Sequence, residues 1–249
     1  MRRPEALALC LLLAACASGG DTPAARPADK ISSDGRMNLA LAEGYLARGD
    51  LAKAGERADL VVQADPGWAQ AHAVRALVHA RGGDAKKAER SFDRALELAP
   101  KDGAILNAHA AWLCENGQPD RADREFVLAL ADPGYRTPVQ ALANAGKCAL
   151  SSGRLAQAED YLRRALVFAP NDRTLLQLLA EVELRQGKIF EAQAFIQRRD
   201  ALGADGATLE LAARIEDAAG NAQGAARYRA RLRSEFPDYV PTGEGARTP

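Results

Sequence analysis

Between about residue 35 and residue 237 apolar side chains recur at helical spacing in short segments, and nearly every segment is closed by a glycine before the next begins. Gly49, Gly83, Gly117, Gly153, Gly187 and Gly220 follow one another at intervals of 34, 34, 36, 34 and 33 residues. A glycine there supplies the left-handed turn that joins two antiparallel helices. Five residues beyond each glycine stands Ala54, Ala88, Ala122, Ala158, Ala192 or Ala225, and seven before it Ala42, Ala76, Ala110, Gly146, Ala180 or Ala213. Two helices approach closely only where both side chains are small, so the pattern predicts six helical hairpins, each crossing at its small pair. Nothing reads as a strand.

Self-similarity near thirty-four residues marks a helical-hairpin array. The glycine and its two small partners resemble positions 15, 8 and 20 of the tetratricopeptide repeat, over about four-fifths of the chain. Ala95, Ala129 and Ala165 match a further small position, Phe92 and Phe126 its aromatic slot, and Pro66, Pro100, Pro170 and Pro237 stand where proline stops the second helix. The expected repeats run over about 35–68, 69–102, 103–138, 139–172, 173–205 and 206–237, with a longer loop around Asp132-Pro133-Gly134-Tyr135. Late repeats depart from the pattern: Arg199 replaces a small residue, Ala204 the proline, and Arg229 fills the aromatic slot. The fold class implied is all-α, a right-handed superhelical solenoid with a concave groove lined by the first helix of each hairpin. Under that register the inward positions include Leu39, Leu46, Ala73, Leu77, Asn107, Ala111, Cys114, Lys147 and Leu150, and charge takes over at Glu181, Arg214 and Asp217.

The N-terminus has a different pattern. Arg2 and Arg3 precede an uncharged apolar run from Ala6 to Ala15, the basic and hydrophobic regions of an export signal. The run is too short to span a bilayer as a helix. It ends in Leu13-Ala14-Ala15-Cys16, which resembles the bacterial lipobox, and the resemblance implies cleavage over residues 1–15 and lipid on Cys16. More than one acyl chain on that cysteine would hold the body at a membrane without a transmembrane helix. Ala17 follows, not the aspartate that commonly retains such lipoproteins at the inner membrane, so the expectation is the outer membrane, facing the periplasm. Residues 16–34, rich in Ser, Gly, Pro, Ala and Asp, read as a disordered tether whose eighteen residues after the cysteine extend to at most about 60 Å. Residues 238–249 read as a disordered tail.

Lys plus Arg equal Asp plus Glu at 33 each, which leaves no net field to attract nucleic acid. His72, His79 and His109 sit at large-residue slots of the repeat with no metal-binding spacing, and packing is their expected role. No phosphate loop or nucleophile elbow occurs, so no catalytic residue, metal, cofactor or small-molecule substrate is expected. Cys114 and Cys148 fall on first helices of adjacent repeats; an oxidising compartment permits a disulfide, and two small buried thiols are the alternative. Arg227, Arg229, Arg231 and Arg233 are expected to solvate the exposed end of the stack.

A lipobox, a short tether and six such repeats together resemble the type IV pilus biogenesis and stability family, PilW/PilF. The segment from Ala104 to Glu115, with Asn107 after an Ile-Leu pair and Trp112 before the loop, is similar to that family's third repeat. The resemblance implies a pilotin, a lipid-anchored scaffold that binds subunits of the outer-membrane secretin and supports their localisation and assembly. The other expectation is an adaptor of the same architecture for different periplasmic partners, such as peptidoglycan hydrolases.

Overall fold

The computed structural model describes residues 31–240. Cys16 and the segments expected to be an export signal over 1–15, a tether up to residue 30 and a tail from residue 241 lie outside the described residues. The described chain forms twelve helices: α1 (Ser33–Ala47), α2 (Leu51–Ala64), α3 (Ala69–Arg81), α4 (Ala85–Leu98), α5 (Gly103–Glu115), α6 (Pro119–Ala131), α7 (Pro138–Ser151), α8 (Leu155–Phe168), α9 (Arg173–Arg185), α10 (Ile189–Ala201), α11 (Gly206–Ala218) and α12 (Ala222–Glu235). Among the described residues there is no strand, and no helix is long and apolar enough to cross a membrane.

Each hairpin turn is built the same way. The six repeating glycines have φ between 72° and 79°, and nothing lies within 4 Å of where a Cβ would sit, so it is the backbone conformation and not crowding that selects glycine. In each, the glycine N–H bonds back to the carbonyl three residues earlier and the next N–H to the carbonyl five earlier, as in Gly49 to Leu46 and Asp50 to Tyr45. These two bonds satisfy carbonyls that the helix end would leave unpaired. The residue after the glycine then starts the next helix: Asp50, Asp84 and Asn221 accept from the N–H three residues on through their side chains.

The small pairs sit at the crossings. Ala54, Ala88, Ala122, Ala158, Ala192 and Ala225 are wholly buried, as are Ala42, Ala76, Ala110 and Ala180 on the opposing helices. At the fourth repeat the partner is Gly146, where a Cβ would come within 2.6 Å of Leu162 Cγ; the leucine occupies the volume that the missing methyl leaves. First helices pack against one another in series, α1 to α3, α3 to α5, α5 to α7, α7 to α9 and α9 to α11, whereas second helices pack backbone to backbone only on the flanking first helices and reach one another through long side chains, as Tyr161 does to Asp123. The first helices therefore line the inside of the curve and the second helices fan outside it. One apolar core runs through this stack from Ala76 to Ile215, with a second around Leu39, Val61, Trp68 and Val74 at the N-terminal end.

Both ends of the stack correct the sequence reading. Residues 31–34 are not tether: Ile31 is buried in the N-terminal core, Ser32 caps α1 by accepting from the Gly35 N–H at 2.9 Å, and the helix starts at Ser33. Nor is the start of the tail free of structure. Tyr239 packs its ring over Gly206, where any Cβ would collide with it, and its hydroxyl donates to Glu210 at 2.6 Å. The same seat is used twice earlier, by Trp68 over Gly35 and by Tyr135 over Gly103, each aromatic following a Pro-Gly pair as Tyr239 follows Pro237-Asp238. Tyr239 thus takes the place after the sixth hairpin that Trp68 and Tyr135 take after the first and third.

The irregular late repeats have their own solution. Arg199, where a small side chain was expected, is buried and pairs with Asp205 at 2.5 Å while donating to the Gly203 carbonyl at 2.6 Å. Asp205 is also the cap of α11 and accepts from the Thr208 N–H. A charged clasp therefore ties α10 to α11 where the proline is absent. Between α8, α9 and α10, Glu183 is fully buried and bonds Arg163 at 2.5 Å, with Lys188 at 3.5 Å. Glu159 accepts from the same Arg163 at 2.7 Å and Lys188 at 2.6 Å. Of the four arginines on α12, Arg231 makes two bonds to Asp200, at 2.7 and 3.1 Å, and Arg229 pairs with Asp217.

Candidate partner-binding groove

Helical geometry places positions three and four apart on one face, and within each first helix the residues 13, 10, 6 and 2 before the turn glycine look into the concave side. The row six before the glycine reads Glu43, Leu77, Ala111, Lys147, Glu181 and Arg214, so the groove changes character along its length. Its N-terminal half holds an open pocket of about 570 Å³ spanning α1, α3, α5 and the start of α7. Ala73, Leu77, Ala108 and Ala111 form much of its floor, Asn107, Gln140 and Asn144 supply amides, and Glu43, Arg81 and Glu115 supply charge. Tyr135 and Thr137, from the longer loop after α6, close one side. A second concave pocket, of about 660 Å³, lies over α9 and α11. There Glu181 already holds Arg185 at 2.9 Å and Arg214 at 3.2 Å, so its charges are paired within the protein.

The residues that the repeat register assigned to the groove separate into three groups. Ala73, Leu77, Asn107 and Ala111 line the N-terminal pocket. Leu39, Leu46 and Leu150 are core side chains, packed against α2, the α3 end and the main core respectively, because a first helix at the inside of a curve is also gripped by both neighbours. Cys114 bonds Cys148 through a disulfide with an S–S distance of 2.03 Å and a Cα separation of 5.9 Å, which decides between the two readings of the thiols. Lys147 is exposed and does not line the pocket. Glu43, Glu115 and Asn144 escaped the sequence reading, although Glu43 occupies the same register slot as Leu77 and Ala111 and was legible from that spacing.

Electrostatics distinguish the groove residues from the structural ones. Glu43 has no cation within ion-pair reach among the described residues, and burial pushes its carboxyl above the usual carboxylate range. At Glu159 burial acts in the same upward direction, but hydrogen bonds from Lys188, Arg163 and Gln186 override it and hold the carboxyl down at about 2. Burial, reinforced by the neighbouring Glu159 charge, pushes Glu183 up despite Arg163 and Lys188. Two of the three histidines pack: His109 lies 4.9 Å from Phe92 and 5.7 Å from Trp112 between ring centroids, with Nδ1 2.8 Å from Glu125, and His72 Nε2 is 3.0 Å from the Pro66 carbonyl.

A family model described as "Tetratricopeptide repeat" matches residues 69–102 and 139–172. The chain is 24% identical over 188 residues to the type IV pilus assembly protein PilF of Pseudomonas aeruginosa, covering 75% of this chain and 74% of that one. Among solved structures, PilW, a widely conserved type IV pilus biogenesis factor, superposes with a TM-score of 0.78 at 29% identity over 84% of this chain and 96% of PilW. The chain is thus a tetratricopeptide-type solenoid homologous to PilF and alike in fold to PilW. A solved structure of Pseudomonas aeruginosa PilF shares the fold with a TM-score of 0.73 at 23% identity, over 83% of this chain and 93% of that one. Stacks of tetratricopeptide hairpins serve as binding scaffolds, and the N-terminal concave pocket is one part of this surface with the shape to receive a partner.

Proposed function

We propose that this chain is a non-catalytic, lipid-anchored pilotin of the outer membrane, facing the periplasm, which binds secretin subunits of the type IV pilus machinery and promotes their localisation and assembly. The observation that carries the reading is its likeness to PilW and PilF across nearly the whole solenoid, joined to an N-terminus ending in Leu13-Ala14-Ala15-Cys16. Acyl chains on Cys16 hold the solenoid at one leaflet, and the N-terminal groove holds the partner. Confining both to one surface raises the effective concentration of secretin subunits, so that ring formation needs no covalent chemistry.

The anchor and the groove separate experimentally. Cys16→Ala is expected to leave capture of the secretin intact while moving both proteins away from outer-membrane fractions; normal rings in that variant would overturn the anchoring role. Leu77→Glu and Ala111→Glu place charge on the pocket floor and are expected to abolish co-purification of the secretin at unchanged helicity. Leu150→Glu is unsuitable for this purpose, because Leu150 belongs to the core and its replacement unfolds neighbours. Undiminished secretin capture by both floor variants would move the interface off the groove. Capture of a peptidoglycan hydrolase in its place would replace the secretin as partner.

A further inference from the structure

The N-terminal pocket carries polar groups that the fold itself leaves unused. Asn107 is 6% exposed, and its Oδ1 accepts from Asn144 Nδ2 at 3.0 Å. No acceptor among the described residues is bonded to its own Nδ2, and Asn107 is one of the residues that line the pocket. A nearly buried amide donor facing an open groove is satisfied there by an incoming carbonyl or by water. A helical ligand offers no such carbonyl along its length, since each is already paired within the helix; an extended segment presents one on alternate residues.

Two carboxylates flank the same floor, Glu43 from α1 and Glu115 from the end of α5, and neither has a cation within ion-pair reach among the described residues. The pocket's one guanidinium, Arg81, is committed to the fold, donating to the Leu46 carbonyl at 2.6 Å across the first two repeats. The charge left over is negative. This contrasts with the second concave pocket, whose Glu181 is neutralised by two arginines. The floor between the carboxylates is largely alanine methyl and the Leu77 side chain, which admits a closely lying backbone with small or apolar side chains.

Resting on the reading that this pocket seats the partner, we propose that it takes an extended, cationic peptide segment: a main-chain carbonyl accepts from Asn107 Nδ2, small or apolar side chains lie on the Ala73, Leu77 and Ala111 floor, and Lys or Arg residues reach Glu43 and Glu115. The docking is β-like in the ligand and helical in the receptor, and its specificity is for positive charge beside small residues.

A phage-displayed library of random linear dodecapeptides, panned on the disulfide-intact solenoid, tests this without presuming the partner. Enriched sequences are expected to carry Lys or Arg next to small or apolar residues, and to bind tenfold or more weakly to the Glu43→Gln/Glu115→Gln double variant in fluorescence anisotropy. Raised salt is expected to weaken wild-type binding and to have little effect on the variant. Asn107→Asp keeps the acceptor for Asn144 but removes the free donor, and is expected to weaken every enriched peptide regardless of its charge. Enrichment of neutral or acidic peptides, affinities within twofold of wild type in the double variant, or no enrichment at all would overturn the inference. Secretin pull-downs with the same double variant separate the two readings. Secretin retained at full strength sinks the cationic segment and leaves the pilotin role standing, whereas basic peptides bound without any secretin capture sink the partner and leave the pocket chemistry standing.

Discussion

The disulfide between Cys114 and Cys148 permits a quantitative test of what holds the middle of the solenoid together. It joins α5 to α7 at the concave ends of repeats three and four, enclosing α6 and the longest hairpin-to-hairpin connection in the stack. With a sequence separation of 34 between the two cysteines, chain-entropy loss in the unfolded state corresponds to about 3.8 kcal/mol at 25 °C. With a urea slope of about 2–3 kcal/mol/M for a chain of this size, removing the bond is expected to lower the unfolding midpoint by more than about 1 M. The assay is urea unfolding followed by circular dichroism, on wild type with and without reductant and on Cys114→Ala/Cys148→Ala. Reduced wild type isolates the crosslink, and the double variant adds the small loss of sulfur packing. Because a solenoid's stability is a sum of neighbouring-repeat terms, amide exchange is expected to speed up first in α6 and α7, before the distant α1 and α12 respond. An unchanged midpoint on reduction, or uniform acceleration along the whole stack, would refute the account.

Other expectations follow from particular contacts. Phe126→Ala, in an almost wholly enclosed aromatic slot, is expected to cost about 3–5 kcal/mol in thermal or urea unfolding. Gly146→Ala forces a methyl against Leu162 Cγ and is expected to destabilise by about 1–2 kcal/mol despite alanine's better helix propensity, and the added Leu162→Ala change should relieve that clash as seen in a double-mutant cycle. Tyr239→Ala removes the closing ring and its bond to Glu210, and is expected to speed amide exchange in α11 and α12 while leaving α1 to α4 untouched. For pH, Glu159 titrates in the fold at about 2, below its ordinary value of 4.5, so its stabilising share is complete above about pH 4.5 and fades as pH falls towards 2. Glu183 shifts the other way: burial favours its protonated form, so it opposes stability as pH rises through the ordinary carboxylate range. Glu159→Gln is expected to flatten the acid limb of the stability curve measured by urea midpoints between pH 2 and 5, and an unaltered slope would rule out this cluster as its origin.

Much of this architecture was legible in the linear chain because its constraints are local and repeat. A left-handed residue at each turn admits little but glycine, and a helix crossing at close range admits little but alanine or glycine, so both leave a spaced mark that survives when every other residue varies. That was enough to place the hairpins and to name Ala73, Leu77, Asn107 and Ala111 as groove positions. Register alone could not separate them from Leu39, Leu46 and Leu150, since the angle at which successive hairpins stack decides which inward side chain is gripped by a neighbour and which stays open. The two ends were misread for a related reason: Ile31 and Tyr239 sit in polar surroundings in the sequence, and only the seats offered by Trp68 with the N-terminal core and by Gly206 give them something to bury against. The sequence by itself determined a periodic helical stack and its turns, because each repeat states its own backbone demands. The tertiary structure alone decided the bond between Cys114 and Cys148, the clasp of Arg199 with Asp205 and the unpaired charge of Glu43 and Glu115. Each of these depends on distances between side chains brought together by stacking, which no spacing along the chain specifies.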